Sequence, residues 1–308
     1  MRRLLSIAAA ALLLMVPAFG ATPANGAQQT SYRRSPYVGA ISADAKTGRV
    51  LFQDNADAEA YPASVTKLMT LLLVLEDIEA GKYNLTTRVT AGEEATRLSE
   101  PSWVDLRPGE SMTVDALLTA LMVKSANDAA VALGVHSAGS FDAFVARMNE
   151  RAASLGMTRT RYYNPNGLPP MSKTSSGKLR RYPWKSFNVS TSADQLKLAL
   201  ELVKKPLVFR YTSQKVASVT DGRGQRLDFI NHNNIMVKNR QKIVNPDGTE
   251  AVDGLKTGYI DAGGSSIVLT GKRGGSRAIV VVLGSSTAKE RDESASRLLV
   301  DALEALNW

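Results

Sequence analysis

Ser64 and Lys67, three residues apart in Tyr61-Pro62-Ala63-Ser64-Val65-Thr66-Lys67, form a pair able to do nucleophilic chemistry together. The chain has no cysteine, which removes thiolate nucleophiles, disulfides and cysteine metal sites. Its two histidines, His136 and His232, stand apart without the His-x-x-x-His spacing of a zinc hydrolase and are read as structural. A Gly-x-Ser-x-Gly nucleophile elbow is absent as well. A hydrolase built from this chain therefore needs a serine whose base is not histidine. Pro62-Ala63-Ser64 opens a predicted helix, and residues i and i+3 share a helix face. Ser64, at the helix start, can offer its backbone N–H to an oxyanion. Lys67, once stripped of water, falls in pKa and can take the serine proton. One Ser-x-x-Lys is weak evidence. The plain alternative is a helix start with an incidental lysine, and Ser175-Ser176-Gly177-Lys178 has the same spacing in a loop that fixes nothing.

Two further triplets bear on the same chemistry. Ser125-Ala126-Asn127 interrupts two helical patterns, so a hydroxyl and an amide on one short bend can face a cleft; Ser186-Phe187-Asn188 matches it by chance. Lys256-Thr257-Gly258 follows Val252-Asp253-Gly254-Leu255 on a predicted strand, with Lys256 and Gly258 on one face and Thr257 on the other. Gly258 leaves room for a substrate backbone to approach. Lys46-Thr47-Gly48 repeats the triplet inside a hairpin turn.

The order Ser-x-x-Lys, Ser-x-Asn, Lys-Thr-Gly at 64, 125 and 256 is the signature of penicillin-binding proteins and serine β-lactamases, whereas the decoy set runs in the wrong order. From about Tyr37 to Leu306 the chain resembles the low-molecular-mass penicillin-binding proteins of the serine-type D-alanyl-D-alanine carboxypeptidase family. Tyr61 to Lys67, Met122 to Ala130, Asn231-His232-Asn233 and Val252 to Tyr259 carry the resemblance. It implies removal of the terminal D-alanine from peptidoglycan stem pentapeptides through an acyl-enzyme, inhibition by β-lactams, and no metal or cofactor. It further implies that Ser64 attacks, Lys67 takes the proton and Ser125 relays a proton to the leaving amine. Lys256 tunes that relay, Asn127 holds the substrate amide, and the N–H groups of Ser64 and Tyr259 form the oxyanion hole. Thr257 helps bind the terminal carboxylate, Gly258 counts among the substrate-binding residues, and Arg291, at the start of the last helix, is expected to bind the terminal carboxylate.

Three other readings stay open. A DD-endopeptidase would use the same residues on cross-links. A class A-like β-lactamase usually carries Ser-Asp-Asn in the middle triplet and a deacylating glutamate, for which the loop after Gly156 offers no convincing residue. A non-catalytic wall-binding protein would be expected to have lost some of the six motif groups, and all are present.

The elements that must position these groups are read from hydrophobic period and punctuation. Tyr37–Ser42 and Arg49–Gln53 form a hairpin, and a helix runs from Pro62 to about Ala80. Helices follow at Val114–Lys124, Asn127–Ala138, Phe141–Leu155 and from Ser190 or Thr191 to about Lys204, with a long loop from Asn164 to Lys185. Strands return at Gln214–Val219, Arg226–Ile230, Ser265–Gly271 and Ser276–Leu283, before a last helix, Ala288–Leu306. The fold class is therefore mixed α/β (α+β), of the β-lactamase and DD-peptidase-like transpeptidase kind that the resemblance implies. An antiparallel sheet built from both termini is covered by helices and carries a helical insertion at about 83–205.

The chain's ends and charge add an address. Met1-Arg2-Arg3, the apolar run Leu4–Val16 and small residues to Ala27 have the layout of a secretory signal peptide, so residues 1–27 are read as a leader and 28–308 as the catalytic domain. A spanning helix needs roughly 20 apolar residues, more than this run supplies. The expected place is the periplasm or cell envelope, after export. The formal charge of +9 falls to +7 without Arg2 and Arg3, and it suits an anionic wall polymer better than nucleic acid in an exported chain. Residues 171–185 are strongly basic, with Lys173, Lys178, Arg180, Arg181 and Lys185 beside Tyr182 and Trp184. They are read either as a wall-binding loop or as a solvated one. Nothing follows the last helix, so no C-terminal membrane anchor is expected.

Overall fold

The computed structural model describes residues 35–96, 102–173, 179–181, 185–238 and 243–307, with backbone alone at 171–173 and 179–181. The predicted leader, 1–27, lies outside the described residues, as do Lys178, Tyr182 and Trp184 of the basic segment and the side chains of Lys173, Arg180 and Arg181.

Strand β1 (Gly39–Asp44) turns back into β2 (Val50–Asp54). The Asp44 carboxylate closes that turn by accepting from Lys46 N and Thr47 Oγ1, so Lys46-Thr47-Gly48 is turn chemistry. A 3-10 turn, Ala63–Thr66, runs straight into α1 (Lys67–Glu79). Every residue from Lys67 to Leu75 is buried, which makes α1 a central helix and not an amphipathic surface one. There follow β3 (Arg88–Thr90), α2 (Glu93–Thr96), β4 (Ser111–Thr113), α3 (Val114–Thr119), α4 (Asn127–Ala138) and α5 (Phe141–Ser154). Next come β5 (Met171–Lys173), β6 (Leu179–Arg181), α6 (Ser192–Leu202), α7 (Val208–Thr212), β7 (Val216–Thr220), β8 (Arg226–Ile230) and α8 (Asn234–Lys238). The chain closes with β9 (Val252–Ile260), β10 (Gly264–Arg273), β11 (Ser276–Ser285) and α9 (Ala288–Ala305).

The main sheet has the order β2-β1-β11-β10-β9, antiparallel throughout, so strands from both ends of the chain meet at β1 and β11. The continuous apolar run Ala278–Leu283 follows from burial on both faces of this sheet. Ile279, Val281 and Leu283 join the core that holds α1, whereas Ala278, Val280 and Val282 join the one that holds α9. A capping box between Thr287 and Glu290 starts α9. The chain is thus a mixed α/β protein with an antiparallel sheet and covering helices.

Three local readings need correction. The predicted helix Val114–Lys124 stops being α-helical at Thr119 and ends in a π turn, Ala120–Lys124. The segment 164–185 is not loop throughout: β5 and β6 pair within it, Met171 opposite Arg181. The elements β3, β4, α2, α7 and α8 had no periodic signal, because three to five residues complete too little of a period to be read.

Candidate active site

Ser64 lies inside the 3-10 turn and Lys67 begins α1. A 3-10 turn eclipses side chains i and i+3, which an α-helix only approximates. Lys67 Nζ accordingly sits 2.9 Å from Ser64 Oγ. The turn is held from outside by the segment Asn164-Pro165-Asn166-Gly167. Thr70 Oγ1 donates to Pro165 O at 2.7 Å, and Asn164 Oδ1 accepts from Gly167 N at 2.6 Å. Gly167 has φ +85°, and a Cβ there would lie 1.9 Å from Ala63 O, so only glycine lets this segment close over the nucleophile turn. Asn188 pins the arrangement by donating to Thr66 Oγ1 at 3.0 Å and to Asn164 O at 2.9 Å.

Lys67 is fully buried, and its nitrogen has three neighbours: Asn127 Oδ1 at 2.8 Å, Asn166 O at 2.7 Å and Ser64 Oγ. Burial pushes its pKa well below 10.5, and the charge of Lys256 pushes it the same way; Asp128 opposes them. A neutral amine has two N–H groups and one lone pair. The two carbonyl-type oxygens take the N–H groups, which leaves the lone pair for the Ser64 hydroxyl. That is the geometry of a general base.

Ser125 closes the π turn in the left-handed region, φ 62°, and is 4% exposed. A non-glycine residue pays for that conformation, and the surroundings enforce it. Ala126 N donates to Ala120 O, Asn127 N to Ser102 O at 2.8 Å, and Ser102 Oγ to Lys124 O. Buried Asp128 accepts from Val104 N, Leu106 N and Ala129 N, tying the segment after Ser102 to the start of α4. Burial raises the Asp128 carboxyl to about 6 against those hydrogen bonds. The Ser125 hydroxyl has no hydrogen-bond partner among the described residues, and Asn127 is the group that touches Lys67.

Strand β9 is the edge of the sheet and packs against the nucleophile turn. A Cβ on Gly258 would lie 2.7 Å from Pro62 O and 2.9 Å from Ser64 N. The missing side chain makes room for the nucleophile turn. Lys256 and Thr257 are buried, and Lys256 Nζ donates to Thr257 O at 3.0 Å. Burial and the charge of Arg291 lower Lys256 to about 7. Arg291 is 4% exposed; its Nε and Nη2 both donate to Asp292 Oδ1, at 2.9 and 2.7 Å. It is buried within electrostatic reach of Lys256 and also forms the Asp292 pair that a purely structural arginine would make. Tyr259 is 62% exposed and donates to Asp261 Oδ1 at 2.9 Å. Partial desolvation and the charges of Lys256, Lys124 and Lys67 hold the exposed His232 at about 4, so it stays neutral beside three lysines. His136 packs on Tyr83 at 4.9 Å, away from this cluster.

Residues 31–287 match the family model for D-alanyl-D-alanine carboxypeptidase. The chain belongs to that family. It is 31% identical to the D-alanyl-D-alanine carboxypeptidase DacF of Bacillus subtilis over 299 residues, which are 97% of this chain and 70% of that protein. It is 30% identical to DacA of Escherichia coli over 84% of this chain, and spans 59% of that protein's length. Among solved structures, the D-alanyl-D-alanine carboxypeptidase DacD of Francisella tularensis superposes with a TM-score of 0.73 at 25% identity, covering 87% of this chain and 70% of that one. Penicillin-binding protein D2 of Listeria monocytogenes in its cefotaxime-bound form gives 0.68 at 28% identity, covering 87% and 98%.

The decoys separate cleanly in this carboxypeptidase-family chain. Asn188 of Ser186-Phe187-Asn188 braces the site from behind, and Ser175 and Lys178 lie outside the described residues. Sequence reading missed the Asn164–Gly167 segment and Asp128. Asn-Pro-Asn-Gly reads as a turn, and nothing in its composition says that a turn carbonyl will hold a lysine. Asp128, next to Asn127, carried the signal of an acid in the first turn of a helix, which ordinarily means only dipole stabilisation.

Proposed function

We propose that the chain is an exported serine-type DD-carboxypeptidase that removes the terminal D-alanine from peptidoglycan stem peptides. The observation that carries the mechanism is the three-way environment of Lys67 Nζ, whose two carbonyl-type acceptors leave its lone pair on Ser64. Ser64 Oγ attacks the penultimate D-alanyl carbonyl as Lys67 takes its proton. The developing oxyanion meets the backbone N–H groups of Ser64 and Tyr259, a role supported by the close approach of Gly258 to Ser64 N. As the C–N bond breaks, Ser125 passes a proton to the leaving amine. Lys256, lowered to about 7, biases that transfer. Asn127 orients both Lys67 and the substrate amide. Thr257 and Arg291 receive the terminal carboxylate, Arg291 through the Nη1 that Asp292 leaves free. Water then attacks the ester, releases the shortened peptide and restores Ser64. A β-lactam offers the same amide and acylates the same oxygen.

The test is to incubate the protein with stem pentapeptide and with a cross-linked dimer and to separate the products by HPLC. Release of D-alanine and tetrapeptide from the monomer is expected. Cleavage of the dimer alone would make the protein an endopeptidase, and no cleavage of either would remove the peptidase reading.

A further inference from the structure

Ser125, at φ 62°, has a counterpart in Asp105, at φ 59°: both hold left-handed backbone without being glycine. Such a residue persists only where its surroundings enforce it. One side chain, Asp128, serves both places. The left-handed kink at Asp105 lets the N–H groups on either side of it, those of Val104 and Leu106, converge on one point, as backbone does when it cradles an anion. Asp128 is that anion. Its Oδ2 accepts from Val104 N at 3.0 Å and from Leu106 N at 3.2 Å, and its Oδ1 accepts from Ala129 N at 2.9 Å. The carboxylate is buried, 1% exposed. The segment so held reaches back to the other kink. Ser102 O accepts from Asn127 N at 2.8 Å, and Ser102 Oγ donates to Lys124 O, so Ser125 is gripped on both sides.

Asp128 also bears on the base. Its chain neighbour Asn127 touches Lys67 Nζ at 2.8 Å, and α4 packs against α1. Asp128 is the carboxylate whose charge reaches Lys67, where it opposes Lys256. The other charged groups around α4 are engaged elsewhere or face solvent. Glu93 and Glu94 of α2 and Arg88 of β3 are exposed, Asp115 of α3 pairs with Arg210, and Arg147 of α5 pairs with Asp77. Asp105 pairs with Arg223, and the charge of Lys124 in the π turn bears on His232. A lysine starved of every negative charge would be too weak a base to take the serine proton.

We propose that Asp128 is a positioning residue for acyl transfer: its carboxylate fastens the Ser102–Leu106 segment beside the Ser125–Asn127 turn and supplies the fixed negative charge that offsets Lys256 at Lys67. The proposal rests on the reading of Ser64 as nucleophile and Lys67 as its base. Asp128 touches no reacting atom and acts through Ser125 and Lys67. The sign of its second effect is set by charge. Ionised Asp128 favours the ammonium form of Lys67, so removing that charge lowers Lys67 further. Burial brings Asp128 itself to about 6, so its pull is present above that pH and fades below it.

Asp128→Asn keeps the shape, removes the charge and turns an NH2 group towards donors that need an acceptor. The rate of penicillin acylation is followed by timed intact mass in both proteins from pH 9 to pH 5. The variant should be slower at pH 9, where the turn alone is weakened. The ratio of variant to wild-type rate should then rise by about three- to tenfold as pH falls towards 6, because the weaker base stays unprotonated longer. Titration of Lys256 near 7 is common to both proteins and cancels in the ratio. A ratio that stays flat across this range would reduce Asp128 to a structural residue and overturn the proposal. Should the variant not fold, carboxyl-carbon NMR of the wild type reads the same coupling: the Asp128 resonance should shift a second time at the pH where Lys67 titrates, and its failure to do so would be equally decisive against it. A wild-type protein that takes no penicillin at Ser64 would overturn the nucleophile reading itself, and the proposal with it.

Discussion

Helix α1 carries a buried charged residue near each end, and the two are treated in opposite ways. Asp77 is 1% exposed and crowded with donors: Arg147 reaches both carboxylate oxygens at 2.6 Å, Lys82 reaches one at 2.7 Å, and Tyr83 and Ser137 add hydroxyls. Burial pushes its carboxyl up, yet the hydrogen bonds of Arg147, Lys82 and Ser137 outweigh burial and hold it at about 2. Lys67 is just as buried but has no carboxylate in contact, and the charge of Lys256 pushes its pKa down against the weaker pull of Asp128. One helix therefore holds a satisfied ion that stabilises the fold and a starved amine placed against the Ser64 hydroxyl. Burial alone produces neither outcome; the partners decide whether a buried group keeps its charge or gives it up.

The contrast is broken most severely at its reactive end. Lys67→Met keeps the stem and removes the nitrogen, so acylation of Ser64 by penicillin should slow by about 10⁴-fold or more. Stopped-flow or timed intact mass measures it, and the thermal midpoint should change little. At the other end, Asp77→Ala leaves Arg147 and Tyr83 without their acceptor inside the protein. Unfolding in urea should show a loss of about 3 kcal/mol, while the acylation rate of the folded fraction stays near that of the wild type. A comparable loss of rate in Asp77→Ala would mean that the two ends of α1 are coupled and not independent.

A smaller effect follows from pH. The folded Asp77 carboxyl titrates near 2, below its unfolded value of 3.8. The unfolded chain therefore binds the proton first, so the stabilisation is present above about pH 4 and is lost as pH falls towards 2. It amounts to on the order of 2 kcal/mol. Urea midpoints between pH 5 and pH 2 should show this slope in the wild type and lose it in Asp77→Ala.

Much of this contrast was legible in the residues, and the remainder shows where pattern stops informing. The Ser64–Lys67 spacing and the order of the three triplets located the reactive end, because chemistry constrains residue types at fixed offsets. The hairpins, α1 and α9 were legible from turn residues and apolar period. Asp77 and Arg147 were not, since they lie seventy residues apart and pair only once α1 and α5 are packed. The Asn166 carbonyl was invisible for a different reason. It is a main-chain atom, and its role comes from the closure of Gly167 over Ala63 and not from the asparagine side chain. The packing of Gly258 against the nucleophile turn was not legible, because a strand pattern says which residues share a face but not what occupies the space beside it.

The central claim is that Lys67 gives up its proton well below the ordinary lysine range and meets Ser64 as an amine. Carbon NMR of protein labelled at the lysine ε-carbons reads this directly, with the Lys67 resonance identified by its loss in Lys67→Met. The expected result is a resonance that titrates well below the ordinary lysine value of 10.5. A Lys67 resonance that keeps the shift of an ammonium up to pH 10 would contradict the assignment of this residue as the base.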